Sequence, residues 1–250
     1  MTEQTGHAGS GSPKPAMVLV HGAWHGAWCW DRVAGLLRDR GFPVVAPTLT
    51  GLAERAHLLS PAVNLSTHVA DVVEAVRDAV SDGTAAGGVV LVGHSYGGMV
   101  VSQAVEALEE LTRAIVFLDA FVPEDGQAQI GYAPEPLRLK VEEAIRTGTG
   151  VPAFPAAHFG VNERDRDWVD ASCTPHPPGT LTEPVRLTGA RDRVPARAYI
   201  LAGNYPNPRF HAYHDACAAK PGWQCFRIAS GHDVMLDAPE ELAALLAGFA

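Results

Sequence analysis

The sequence predicts an α/β protein with a mostly parallel sheet covered by helices on both faces. Three observations carry that prediction. Apolar runs rich in β-type residues alternate with segments of helical period. Several of those runs are apolar throughout, as strands buried on both faces must be. One serine between two glycines stands where a strand gives way to a helix.

Taken in order, AMVLVHG (16–22) reads as a strand and DRVAGLLRDRG (31–41) as a helix that Gly41 can end. FPVVAP (42–47) is a second strand. LSTHVADVVEAVRDAV (65–80) sets Val69, Val72, Val73, Val76 and Val80 on one helical face, with Ser66 or Thr67 as the expected N-cap. VVLVG (89–93) is a third strand, followed by a helix over YGGMVVSQAVEALEEL. AIVFLD (114–119), RAYILAG (197–203) and QCFRIAS (224–230) complete the strands. PEELAALLAGF closes the chain as a helix, with Pro239 suited to its first turn.

The stretch from Phe121 to about Leu187 breaks the alternation. It is rich in proline and holds one clear helical pattern, PLRLKVEEAIRTG. A loop of that length inside a compact domain is expected to be functional. The predicted organisation is therefore a flexible tail over residues 1–15, a core over 16–121 and 188–250, and a cap inserted over 122–187.

At 250 residues the chain suits one α/β domain, and 47% hydrophobic against 19% charged residues supplies a sizeable core. The formal charge of −9 and the lack of a Lys/Arg cluster exclude phosphate-backbone binding. The opening MTEQTGHAGSGSPKPA has no apolar h-region, and no apolar run approaches the ~18 residues of a membrane helix. Cys29, Cys173, Cys217 and Cys225 show neither CxxC nor metal spacing and fit a reduced, cytoplasmic setting. No metal cluster, Walker loop or dinucleotide fingerprint is present, so no metal or cofactor is expected. The expected partner is a small-molecule ester, met by a monomer or homodimer.

The chemistry centres on Gly93-His94-Ser95-Tyr96-Gly97. A serine on a very sharp strand-to-helix turn takes a strained backbone conformation, and residues two positions away must be tiny. Gly93 and Gly97 meet that demand, which makes Ser95 the candidate nucleophile. Eleven histidines compete as its base. His232 lies in a turn between the last strand and the final helix, at the sheet end where functional loops gather. His211 and His214 read as surface residues, His94 as pointing elsewhere, and His57, His68, His158 and His176 lack supporting context. Oxyanion donors are expected from the backbone N–H of Tyr96 and, in the loop HGAWHGAW (21–28), of Ala23. Trp24, Trp28 and Trp30 read either as pocket wall or as cover for the sheet edge.

Together VLVHGAWHGAWCW, VVAPTLTGL, THVADVVEAV and VVLVGHSYGGMVV, with SGHD and PEELAALL near the end, resemble the α/β-hydrolase superfamily. They are similar to its branch of small esterases and hydroxynitrile lyases, which includes the plant methylesterases. The resemblance covers residues 16–120 and fades through the cap. It implies serine chemistry with a Ser-His-acid triad. Most of the superfamily carries the acid after the strand that here reads RAYILAG, yet no Asp or Glu follows before Asp215. The other known placement, after the strand that follows the nucleophile helix, is occupied by Asp119. A carboxylate behind the apolar run Ile115–Leu118 needs a partner, so Asp119 is preferred as the triad acid, with Asp215 the alternative. Asp192 lies at the wrong end of the sheet, and Asp233 adjoins His232 too closely to reach its ring.

The lyases of the branch carry a threonine where Gly22 stands and a lysine where Asp233 stands. Both departures favour hydrolysis of a carboxylic ester or lactone over cyanohydrin cleavage. A hydrolase-fold small-molecule receptor with little turnover is the alternative from another class. Trp24, Phe121, Tyr132, Phe154, Phe159 and Trp168, with Tyr96, are candidate pocket residues, which favours a hydrophobic, aromatic substrate. Glu54 and Arg55 are expected as a surface ion pair.

Overall fold

The computed structural model describes residues 12–250, so most of the expected tail (1–15) lies outside the described residues. Its last part is already tied down. The Lys14 ammonium donates to the Arg40 carbonyl at 2.6 Å and lies 4.2 Å from the Phe42 ring.

The strands are β1 (Ala16–Val20), β2 (Val44–Val45), β3 (Val89–His94), β4 (Thr112–Leu118), β5 (Ala196–Ala202) and β6 (Trp223–Ile228). They form one six-stranded sheet in the order β2-β1-β3-β4-β5-β6, with every pairing parallel. β1, β3 and β4 are buried nearly throughout, which explains their uninterrupted Val, Leu and Ile content. The expected strand over 42–47 shrinks to two residues. Pro43 and Pro47 lack the N–H a longer ladder needs, and the strand sits at the sheet edge.

Helices α1 (Asp31–Asp39), α2 (Leu65–Ser81) and α3 (Gly97–Leu108) connect the first four strands. Gly41, at φ 77°, follows the end of α1. The N-cap of α2 is Asn64 rather than Ser66 or Thr67. The Asn64 side chain accepts from the Thr67 N–H at 3.0 Å while the Thr67 hydroxyl answers the Asn64 backbone, a reciprocal box.

Between β4 and β5 the chain leaves the sheet and forms α4 (Glu135–Thr147), α5 (Arg166–Ser172), α6 (Gly179–Thr182) and α7 (Ala190–Arg193). Only α4 carries a long amphipathic pattern; the others are too short for periodicity to reveal. The last helices are α8 (Pro208–Ala218), α9 (Val234–Asp237) and α10 (Pro239–Ala247). α1 packs with α10 and α2 with α3, so both faces of the sheet are covered. The connection direction reverses at β1, which has β2 on one side and β3 on the other. The crevice beyond the C-terminal ends of β1 and β3 is where such sheets place their ligands. The HGAW loop and Ser95 both open there.

Candidate active site

Ser95 sits directly after β3 with φ 52°, a left-handed conformation that non-glycine residues rarely adopt. A Cβ at Gly93 would stand 2.6 Å from the Gly97 carbonyl oxygen, and one at Gly97 would stand 2.7 Å from that of Val20. Both glycines are therefore required for the turn to close. A Cβ at Gly98 would collide with the Phe121 carbonyl, so α3 starts pressed against the turn that follows β4. Ser95 is tied to that turn through its backbone. Its N–H donates to Leu118 at 3.2 Å, and its carbonyl accepts from Phe121 at 3.1 Å.

Asp119 lies in the same turn at φ 42° and is fully buried. One carboxylate oxygen accepts from the His232 Nδ1–H at 2.6 Å, and the other accepts from the Ala202 N–H at 3.2 Å. The Asp119 N–H donates to Ile200 at 2.7 Å, so β5 fixes the backbone as well. Because Nδ1 faces a carboxylate it carries the proton in the neutral ring, leaving Nε2 as a bare acceptor. His232 itself is held by its N–H, which donates to the Phe159 carbonyl at 2.8 Å. The rings of Tyr205 and Phe210 stack on it at centroid distances of 4.8 and 5.3 Å. The Ser95 hydroxyl is not hydrogen-bonded to the imidazole here, a contact that often tightens only with substrate bound. The other acids stand elsewhere. Asp215 is exposed and paired with its neighbour His214 at 3.0 Å, and Asp192 belongs to α7, ahead of β5.

The loop after β1 is organised by histidines. His21 donates through Nδ1 to the Gly22 carbonyl at 2.8 Å and accepts the Leu49 N–H on Nε2 at 3.1 Å. Burial pushes its pKa down to about 3, so it is neutral. His25 donates through Nδ1 to the Ala23 carbonyl at 2.8 Å, and its Nε2 faces the Asp233 carboxylate at 3.1 Å. Both nitrogens of His25 meet acceptors, so the ring is an imidazolium. Burial opposes that charge, but Asp233 outweighs it and raises the His25 pKa. For Asp233 burial acts upward, and the His25 charge prevails in holding it below the usual carboxylate range. Gly22 leaves room beside the nucleophile: a Cβ there would lie 3.1 Å from the Ser95 Cβ. Among the described residues, neither the Ala23 nor the Tyr96 N–H enters a backbone hydrogen bond. That of Tyr96 is free because it stands at the N-terminus of α3.

His94 does not point away, as the sequence suggested. It is buried, its ring lies 4.5 Å from that of His232, and its Nε2–H donates to the His232 carbonyl at 3.1 Å. Among the described residues, His94, His232 and Asp233 bring ligand atoms within 4.8 Å of one another. Each is engaged elsewhere, with the His232 carbonyl, Asp119 and His25 respectively. The group therefore reads as the polar surroundings of the base rather than a metal centre.

The candidate pocket residues fall into two aromatic groups and one outlier. Trp24 packs on Phe154 and Phe159 at 5.6 and 6.0 Å, and Phe159 reaches His232 at 5.7 Å. Phe121 stacks on Tyr132 at 5.7 Å and meets Phe210 edge-on at 5.2 Å. Trp168 stands apart, 41% exposed, packed on Trp28 and beneath the Arg32 guanidinium. Arg55 pairs with Asp71 at 3.0 Å rather than with Glu54. Sequence reasoning missed Tyr205 and Phe210. Their signal was position after β5, at the sheet end shared with Ser95, but the histidines of α8 drew attention instead.

A family model described as the alpha/beta hydrolase family matches residues 17–245. The chain belongs to that family. It is 40% identical over 240 residues to the carbendazim hydrolyzing esterase of Nocardioides sp. (strain SG-4G), an alignment covering 92% of this chain and 97% of that one. It is 29% identical to the esterase PIR7B of Oryza sativa subsp. japonica over 95% of this chain and 96% of the relative. Among solved structures, an extracellular α/β-hydrolase from a Paenibacillus species superposes with a TM-score of 0.79 at 21% identity, covering 95% and 99% of the two chains. With such relatives over nearly its whole length, this member of the family is an ester hydrolase. Among the described residues no helix is long and apolar enough to cross a membrane.

Proposed function

We propose that the protein cleaves small hydrophobic, aromatic carboxylic esters through an acyl-enzyme, with Ser95 as nucleophile, His232 as general base and acid, and Asp119 as the orienting carboxylate. The observation that carries this reading is the 2.6 Å contact between buried Asp119 and His232 Nδ1, beside a serine held at positive φ. His232 Nε2 takes the Ser95 proton as Oγ attacks the carbonyl carbon. The Ala23 and Tyr96 amides receive the oxyanion, and Asp119 stabilises the imidazolium that forms. The imidazolium returns its proton to the departing alcohol. Water then enters by the same route and releases the acid.

The segment over 122–187 acts as the cap, and the rings around the base favour aromatic substrates. Phe159, with Trp24 and Phe154 packed near it, and Phe210, with Phe121 against it, both stand beside the His232 ring. A relative at 40% identity is named a carbendazim hydrolyzing esterase. Carboxylic esters with an aromatic acid or alcohol part are thus the expected class, in a cytoplasmic enzyme without metal or cofactor.

A panel of p-nitrophenyl acetate, methyl aryl esters and carbendazim tests this. Turnover of at least one aromatic member is expected, with Ser95→Ala falling by roughly 10⁶ in kcat. A serine-directed phosphonate should label wild type only. Ligand binding without turnover, or labelling at another residue, would overturn the assignment.

A further inference from the structure

The peptide joining Ala23 to Trp24 is held at both ends by imidazoles. Its carbonyl accepts from His25 at 2.8 Å, and its N–H donates to His176 Nδ1 at 3.2 Å. His176 comes from the segment between β4 and β5, 152 residues further along the chain, and is fully buried. Its backbone forms an antiparallel bridge with Val151. The remaining polar groups of Trp24 go to the same segment. Its indole N–H donates to Val151 at 2.9 Å, and its carbonyl accepts from Thr174 at 3.0 Å. Trp24 needs such partners because it sits at φ 65°, a conformation that no local preference sustains.

The tautomer of His176 follows from its neighbours. Nδ1 receives an N–H and must be bare, so the ring proton is on Nε2 and donates to the Thr180 hydroxyl at 2.7 Å. That hydroxyl in turn donates to the Pro177 carbonyl at 2.7 Å. Burial pushes the His176 pKa well down and keeps the ring neutral. The ring also meets Tyr96 edge-on, with centroids 4.9 Å apart. One imidazole therefore touches Tyr96 and the residue that directly follows Ala23.

We propose that His176 is a positioning residue of the oxyanion hole: by accepting the Trp24 N–H and packing on Tyr96, it fixes the relative placement of the Ala23 and Tyr96 amides. The inference rests on the reading that these two amides receive the oxyanion. An imidazole imported from the cap would then set transition-state stabilisation without touching the substrate.

The test compares His176→Asn, whose amide oxygen can stand where Nδ1 stood, with His176→Gln, whose oxygen is carried one atom too far. With p-nitrophenyl acetate, His176→Gln should lower kcat by roughly ten- to a hundredfold, less than the 10²–10³ for loss of a whole donor. KM should stay within about threefold. The affinity for an aryl trifluoromethyl ketone, which adds Ser95 to form an oxyanion, should fall in the same proportion. His176→Asn should recover most of both. Equal effects of the two variants, or a loss confined to KM, would overturn the proposal. Imidazole ¹⁵N spectra of the wild-type enzyme need no folded variant: His176 should appear as the neutral Nε2–H tautomer, and an Nδ1–H tautomer or a cation would refute it. Failure of phosphonate to label wild-type Ser95 would instead remove the underlying assignment.

Discussion

Asp119 is the residue on which the proposed chemistry turns. It is fully buried, its two oxygens are committed to His232 and the Ala202 amide, and its backbone sits at φ 42°. Asn would preserve the shape but present the ring with the wrong donor pattern and remove the charge that supports the imidazolium. Asp119→Asn is therefore expected to lower kcat by about 10⁴ with little change in fold. Asp215→Asn, at an exposed side chain paired only with its neighbour, should leave kcat within about twofold of wild type. Steady-state kinetics on one ester decide between them, and the reverse pattern would move the acid to Asp215. Ser95 was legible because its turn is local and glycine-gated. His25, His94, Asp233 and His176 were not, because their partners are far away in sequence: Asp233 meets His25 across 208 positions.

At the scale of elements, the loop bearing His232 is clasped to the segment between β4 and β5. One Asp237 oxygen accepts from the Asn162 backbone and side chain at 3.2 and 2.7 Å, while the other accepts from the Gly231 N–H at 3.3 Å. The Asn162 amide also donates to Asp165, which receives both terminal nitrogens of Arg32 at 2.7 Å. Arg32 belongs to α1, so three separate parts of the chain converge beside the base. The Arg32 hydrogen bonds hold the Asp165 carboxyl below its usual range, against the opposing effect of burial. Removing the central acceptor should loosen this corner alone. Asp237→Ala is expected to cost about 2 kcal/mol locally, which speeds amide exchange over residues 231–237 roughly thirtyfold. Exchange in β3 and β4 should not change. Mass-spectrometric hydrogen exchange checks this; uniform acceleration across the sheet would show a global effect instead. Strands and long helices were readable from period and composition. The edge strand was overestimated because its prolines outweigh its apolar run, and the short helices of the inserted segment are stabilised by contacts that no window of sequence contains.

For the molecule as a whole, the buried pair of His25 and Asp233 couples stability to pH. Asp233 titrates below its ordinary 3.8, so its contribution is present above that value and fades as pH falls through the lowered one. His25 titrates above its ordinary 6.5, so its contribution is complete below 6.5 and is lost as pH rises through the raised value. The pair therefore contributes most between about pH 4 and 6.5. Thermal melts from pH 5 to 9 should show Tm falling on the alkaline side by more in wild type than in His25→Gln. Identical slopes would mean that His25 does not titrate there. Asp233→Asn leaves the His25 cation buried without a counter-charge and should cost about 3–5 kcal/mol.

The sequence by itself determined where the buried strands and the long helices run and the sharp turn at Ser95, because each of these depends on neighbours within a few residues: apolar period, caps and glycines. Only the tertiary structure decided which acid meets His232, which imidazoles grip the HGAW loop, and which aromatics stand around the base. Those depend on charges and rings brought together from distant parts of the chain, where burial raises the energetic consequence of every contact and spacing along the chain carries no information.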